Sequence, residues 1–263
     1  MKTITLLNEK GGVGKTTLAQ TLASGLARDG YTVMAIDSDP QGTLTYGMGQ
    51  QRAPHFYNLI QRKEPWANLA RQIAPDRIAS DTRGRLFLLP GDRETRNLNV
   101  EDAALLLKRL NEIKQSFDYV IIDTAPSASL LHILVYLASD YILYPTQLEM
   151  FSMQGLKQSI QVMAEYTEFR AARRLPPIEL LGIAPTMTRL NTGGHTANMA
   201  DLQKTPYKVL RPIHNRIAWS DAAATRRSIF AYDPTCEAAK DADTFINQVK
   251  QVLGIDVAGV QDG

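Results

Sequence analysis

Asn8-Glu9-Lys10-Gly11-Gly12-Val13-Gly14-Lys15-Thr16-Thr17 stands between two segments of different periodicity. Residues Thr3 to Leu7 alternate and branch like a buried strand, whereas Leu18, Leu22, Ala23 and Leu26 recur at helical spacing between Thr17 and Ala27. A glycine-rich turn that closes a strand and opens a helix is a phosphate cradle. Gly11, Gly12 and Gly14, with Val13 among them, let the backbone approach an anion and turn successive N–H groups inward, and the helix start adds its positive end. Lys15 then holds the β- and γ-phosphates of a nucleoside triphosphate, Thr16 places its hydroxyl on Mg²⁺, and Thr17 reaches the α-phosphate. The ordinary G-x-x-x-x-G-K-[ST] loop has glycine where Glu9 stands, and here an additional lysine, Lys10, precedes the glycine pair. A second cation adds little on phosphates already held by Lys15 unless it reaches elsewhere, such as a nucleotide in a facing subunit.

Two acidic motifs follow in order. After a strand predicted over Thr32 to Ile36 comes Asp37-Ser38-Asp39-Pro40-Gln41-Gly42, two carboxylates at a strand's C-terminal end, where open parallel sheets bind ligands. Such a carboxylate near a γ-phosphate orients an attacking water or holds hydrated Mg²⁺. Asp118-Tyr119-Val120-Ile121-Ile122-Asp123-Thr124-Ala125-Pro126 is an apolar strand that ends in Asp123, as a Walker B carboxylate for Mg²⁺ does.

The loop resembles the deviant Walker A sequence, K-G-G-x-G-K-[ST], of the ParA/MinD family of P-loop ATPases. The resemblance continues through D-x-D-P-Q at Asp37 to Gln41, D-T-A-P at Asp123 to Pro126 where relatives usually have D-T-P-P, and Pro145-Thr146-Gln147-Leu148-Glu149 with Gly155-Leu156. It extends to Gly182-Ile183-Ala184-Pro185-Thr186-Met187, to Ile217-Ala218-Trp219-Ser220-Asp221-Ala222 and to Tyr232-Asp233-Pro234. It implies an ATP hydrolase using ATP and Mg²⁺, with Lys10 crossing an ATP-bound homodimer to the partner's nucleotide. On the same basis Lys10, Lys15 and Asp39 are catalytic, Asp39 positioning the water. Asp37 is a metal-side or structural partner, Thr16 and Asp123 are metal-side residues, and Met187 lies beside adenine.

At 263 residues the chain is long enough to bury a large core as one domain, residues 1–263. Strand-like runs at Leu86 to Leu89, Tyr119 to Ile122, Tyr141 to Tyr144, Ile178 to Ala184 and Lys208 to Ile213 alternate with helical stretches. That alternation predicts an α/β fold with a doubly wound, mainly parallel sheet. Residues Arg52 to Arg85 are less regular and predict short peripheral helices. No apolar run is long enough to span a membrane, and the first strand begins at once, so a cytoplasmic chain without a leader is expected. The single cysteine, Cys236, reads as a small helix residue and cannot form an internal disulfide; the bridging iron–sulfur cluster of the nitrogenase iron-protein branch needs cysteines that are absent.

The net charge is only +2, but between Arg170 and Arg227 ten lysines and arginines face three acids. A basic half of this kind suits sequence-independent binding to DNA phosphates, with Arg189, Arg216, Arg226 and Arg227 as candidate contacts. Ala218 departs from the arginine common in DNA-binding relatives. The family resemblance implies a nucleoid-associated protein that partitions or positions plasmid or chromosomal DNA, or another large cargo, through a cargo-linked, ParB-like adaptor that stimulates hydrolysis. Lacking an N-terminal helix-turn-helix region, it is not expected to repress an operator. Two alternatives compete: a membrane-associated MinD-like ATPase and a metabolic P-loop ligase or reductase. The tail from Asp241 to Gly263 carries Asp241, Asp243, Asp256 and Asp262 against Lys250 alone, wrong for anionic lipid, so its apolar residues Phe245, Val249 and Val252 are expected to pack on the sheet.

Overall fold

The glycine-rich stretch leaves the C-terminal end of an interior strand of the sheet. The computed structural model describes residues 1–126, 130–189 and 193–255, so Asp256 and Asp262 lie outside the described residues. Its strands are β1 (Lys2–Leu6), β2 (Thr32–Asp37), β3 (Arg71–Gln72), β4 (Arg85–Leu89), β5 (Tyr119–Asp123), β6 (Tyr141–Gln147) and β7 (Glu179–Thr186). They form one sheet in the order β3-β4-β2-β5-β1-β6-β7. Every pairing is parallel except that of the short edge strand β3 with β4. The helices are α1 (Lys15–Arg28), α2 (Thr43–Gly47), α3 (His55–Gln61), α4 (Trp66–Leu69), α5 (Leu105–Glu112) and α6 (Leu130–Ala138), followed by α7 (Met150–Ala171), α8 (Gly193–Gln203), α9 (Ile217–Ala224), α10 (Ile229–Tyr232) and α11 (Glu237–Val252).

Period-two alternation along the strands builds the layers. In β2, Val33 and Ala35 pack into one cluster with Leu18, Leu22 and Leu26 of α1 and Phe245, Ile246 and Val249 of α11. Met34 and Ile36 turn to the opposite face, against Phe56 and Leu59 of α3, Leu106 and Leu110 of α5 and Leu134 of α6. Both faces of the parallel sheet are thus covered, which is why its strands read as continuous apolar runs. Helix α11 lies in the core as the tail's apolar spacing predicts, and half-buried Cys236 caps its start.

Two expectations need correction. The segment Lys208 to Ile213 is not a strand. It runs beside β7 through isolated bridges at Ile183–Val209 and Thr188–His214, because Pro185 and Pro212 lack the N–H groups a continuous ladder needs. The region from Arg52 to Arg85 does hold short helices, but α3 is not peripheral: Phe56, Leu59 and Ile60 are fully buried and cover one face of the sheet. That region also contributes the antiparallel strand β3.

Strand register sets the site. Leu6 of β1 and Asp37 of β2 both pair with Asp123 of β5. The loop after β1 and the two strand-end carboxylates therefore meet at the C-terminal edge of the sheet, the place where this topology leaves a crevice.

Candidate nucleotide site

The loop's backbone fixes which residues are glycine. Gly12 and Gly14 have φ of 74° and 88°, in the left-handed region that other residues occupy only with strain, and Gly14 is the N-cap of α1. The turn is braced from outside. Thr186 Oγ1 donates to the Val13 carbonyl at 2.8 Å, Gln147 Nε2 donates to the Gly12 carbonyl at 3.3 Å, and Asn8 Oδ1 accepts from the Lys10 N–H at 2.9 Å.

Lys15 is buried and folded back on the loop, its Nζ donating to the carbonyls of Asn8 (2.7 Å) and Lys10 (3.1 Å). Desolvation pulls its pKa below the ordinary lysine value, against the attraction of Asp123 and Asp39. The two carbonyls occupy the ammonium's donors as phosphate oxygens would. Lys10 lies apart from that cluster: its Nζ reaches Glu149 Oε2 at 2.9 Å and Gln147 Oε1 at 3.2 Å on an exposed rim. The two lysines point to different places.

The acids divide their roles. Asp37 is fully buried, and its Oδ2 accepts from both the N–H (2.7 Å) and the hydroxyl (2.6 Å) of Thr45, while its Oδ1 accepts from the Asp39 N–H at 3.3 Å. Burial pushes its carboxyl up to about 6, against the Thr45 bonds that favour the ion. Asp123 is equally buried. Its Oδ2 accepts from Thr16 Oγ1 at 2.7 Å, but its Oδ1 has no hydrogen-bond partner. Burial first, then the neighbouring Asp37, raises its pKa well above the carboxylate range. An orphaned carboxylate oxygen beside the Thr16 hydroxyl fits a divalent cation that takes its remaining ligands from phosphate and water. Among the described residues no group of three His, Cys, Asp or Glu side chains forms a metal site by itself. Asp39 is partly exposed on the loop beyond β2, its Oδ1 accepting from the Gln41 N–H at 2.8 Å.

Beside the loop opens a cavity of about 270 Å³, lined among others by Gly14, Thr17, Met187, Ile213, Arg216 and Trp219. Met187 is 39 % exposed there and accepts a contact from Gln147 Nε2 at 3.0 Å, so it is a rim residue and not core packing.

The cationic candidates do not form one surface. Arg226 and Arg227 stand together on the exposed turn after α9, and Arg189 lies on the rim shared by Gln147, Glu149 and His195. Arg216 instead lines the cavity, and its Nε sits 3.1 Å from Asp241 Oδ2, so its charge is already matched. Arg170 leaves the basic set altogether: it is buried, donating to the carbonyls of Pro176, Tyr136, Leu137 and Ser139.

Sequence reasoning missed Thr45, Asn8 and Gln20. Thr45 lies eight residues beyond Asp37 in an unremarkable Thr-Leu-Thr run, and Gln20 donates to the carbonyls of Gly47 and Arg227 at 3.0 and 3.2 Å. Nothing in their local sequence marks these bonds. Asn8 carried a weak signal, a polar residue at the end of an apolar strand, and its Nδ2 ties the loop to the Pro145 carbonyl at 2.7 Å.

Comparison with known proteins gives a consistent result. Residues 1–172 match a family model described as an AAA domain. The chain is 29 % identical to the sporulation initiation inhibitor protein Soj of Bacillus subtilis strain 168, with 95 % of this chain and 98 % of that protein covered. It is 33 % identical to the chromosome-partitioning ATPase Soj of Thermus thermophilus, over 71 % of this chain and 70 % of that one. An ATP complex of McdA from Cyanothece shares the fold at a TM-score of 0.81 and 23 % identity, with 99 % of each chain covered.

Proposed function

The chain belongs to the AAA-domain family matched over residues 1–172, as an ATP-hydrolysing P-loop protein of the ParA/MinD group in its Soj-like branch, and from that premise we propose that it is a nucleotide-switched dimer that partitions or positions DNA or another large cargo over the nucleoid. ATP closes two copies face to face, the closed form holds DNA without sequence preference, and a cargo-linked adaptor stimulates hydrolysis and release. The observation that carries this reading is the separation of the lysines. Lys15 occupies the cradle of its own subunit, while Lys10 extends to Glu149 and Gln147 on an exposed rim, the side on which this reading puts the facing subunit.

Within one subunit the residues divide the work. Lys15 exchanges the Asn8 and Lys10 carbonyls for the β- and γ-phosphate oxygens, and the N–H groups from Gly11 to Thr17 complete the cradle. Thr16 and Asp123 are the residues that would hold Mg²⁺, which supplies neutralisation of the phosphate charge. Asp37 keeps the following loop in place through Thr45, and Asp39, at the tip of that loop, orients the attacking water. The cavity bounded by Met187 and Trp219 takes the base.

No helix among the described residues is long and apolar enough to cross a membrane. The discriminating experiment is binding to random-sequence duplex DNA with ATP, ADP or no nucleotide, with and without anionic liposomes. ATP-dependent DNA binding supports the reading. Liposome binding without DNA binding favours a membrane-positioning ATPase, and neither favours a small-molecule enzyme.

A further inference from the structure

Tyr46, on α2 just beyond the Asp37 to Gly42 loop, is 41 % exposed, and two arginines from distant parts of the chain approach its ring. The Arg226 guanidinium carbon lies 4.3 Å from the ring centroid and that of Arg52 lies 5.4 Å away. Arg226 also donates to the Tyr46 hydroxyl at 3.2 Å, and Arg77 donates to the Arg226 carbonyl at 2.9 Å. Arg227 completes the group on the same exposed turn. Arg28 meets Asp243 and Arg216 meets Asp241, whereas other arginines, Arg170 among them, meet backbone carbonyls. Among the described residues, Arg52, Arg77, Arg226 and Arg227 form no ion pair at all. Arg52 and Arg226 flank the tyrosine and Arg77 is tied to the Arg226 carbonyl, so neighbouring cations stand without a counter-charge, and a row of anions laid across them removes the cost of their repulsion.

The group is tied twice to the nucleotide machinery. Arg52 Nε donates to the Gly42 carbonyl at 3.2 Å, at the end of the loop that carries Asp37 and Asp39. That approach is close: a Cβ on Gly42, whose φ is 60°, would stand 2.8 Å from Arg52 Cγ and 2.7 Å from the Gly91 carbonyl. Gln20, one turn beyond Thr16 on α1, donates to the carbonyls of both Gly47 and Arg227. Movement of the loop on one side, or of α1 on the other, is transmitted to the arginines by direct hydrogen bonds.

We propose that Tyr46, Arg52, Arg77, Arg226 and Arg227 form the surface that receives the phosphate backbone of duplex DNA, and that the Arg52–Gly42 and Gln20–Arg227 contacts make its arrangement depend on the bound nucleotide. The inference rests on the DNA-binding reading above and adds to it the residues and the link. The cation–π contacts hold the guanidiniums in place before the anion arrives, so fewer rotamers are lost on binding. The contacts are to phosphate and carry no sequence preference.

The test is binding of the full-length protein to a random-sequence duplex over a salt series, with ATP and with ADP. Arg226→Ala with Arg227→Ala removes two phosphate contacts, so the slope of log affinity against log salt falls by about two, at about 0.9 per contact. Arg52→Lys keeps the charge but not the bond geometry at Gly42; it is expected to keep the wild-type slope while the difference between ATP and ADP collapses toward one. Gln20→Leu is expected to narrow that difference in the same way. Thermal unfolding of each variant checks that it folds. If wild type binds DNA and the arginine pair variant keeps its slope, the surface assignment is overturned. A slope that falls while Arg52→Lys and Gln20→Leu retain the full nucleotide dependence overturns the link. Intact DNA binding with lost stimulation by the adaptor assigns the patch to an acidic protein and also overturns the proposal. Failure of wild type to bind DNA in any nucleotide state is a distinct result, which removes the DNA reading itself.

Discussion

Asp37→Asn separates the cost of building this site from its use. In the nucleotide-free protein, burial raises the Asp37 carboxyl from 3.8 to about 6. A carboxyl whose pKa is higher in the folded chain binds its proton more tightly there than in the unfolded chain. The associated stability is fully present below pH 3.8, is lost progressively as pH rises through about 6, and is absent above it. A shift of about two units corresponds to about 3 kcal/mol, at about 1.4 kcal/mol per unit. The asparagine amide stands for the protonated acid: it keeps an oxygen for the Thr45 N–H and carries no charge. It also relieves Asp123, whose own pKa Asp37 helps to raise. Urea unfolding without nucleotide at pH 4.5, 6 and 7.5, on wild type and variant together, cancels the titration of the groups that do not interact with Asp37. The wild type is expected to lose about 2 kcal/mol relative to the variant across that range, part of the effect being already gone at pH 4.5, since only it must ionise a buried carboxyl at this position. Equal pH slopes in the two proteins, or a steeper loss in the variant, refute the reasoning.

Lys15→Ala is expected to abolish ATP binding in a fluorescent-nucleotide titration, and retained affinity would remove the assignment of the cradle. Asp39→Ala should accumulate an ATP-bound dimer with little phosphate release; unchanged turnover would take away its role at the water. Gly25→Ala probes the packing behind the loop helix, because a Cβ there would stand 1.9 Å from Ile246 Cδ1 on α11. Overpacking costs about 1–3 kcal/mol and the gain in helix propensity returns about 1 kcal/mol. A lowered melting temperature is expected, restored by Ile246→Val, and no change in either variant would show that the helices adjust freely.

The sheet was legible because its strands are buried on both faces and appear as unbroken apolar runs at β1, β2 and β5. Lys208 to Ile213 has similar composition but is interrupted by proline, and whether such a segment joins the ladder depends on the neighbour it meets, here β7 with its own Pro185. The cradle was legible because its backbone demands glycine at Gly12 and Gly14 and its chemistry demands lysine and threonine next to them. Thr45 and Gln20 were not, since a hydroxyl that satisfies a buried carboxylate and an amide that bridges two carbonyls are ordinary residues whose function exists only in three dimensions. The basic patch fell between these cases. Charge density pointed to Arg226 and Arg227, but Arg52 and Arg77 lie more than a hundred residues away and are recruited by the fold.

The nucleotide site is also where this protein departs from the rules that stabilise the rest of it. Two buried carboxylates face each other across paired strands, one with an unpartnered oxygen, and a buried lysine satisfies its donors with loop carbonyls. In the core such features would be defects. At the sheet's C-terminal edge they form a site of mixed charge to which a triphosphate and its cation are complementary, the phosphates to Lys15 and the loop N–H groups, the cation to Asp123 and Thr16. On the proposed reading, binding offsets the cost of burying these charges. The segment from Asp37 to Gly42 is fastened by Thr45 at one end and touched by Arg52 at the other. If that segment responds to the nucleotide as proposed, the response passes through α2 to the tyrosine that Arg52 and Arg226 flank.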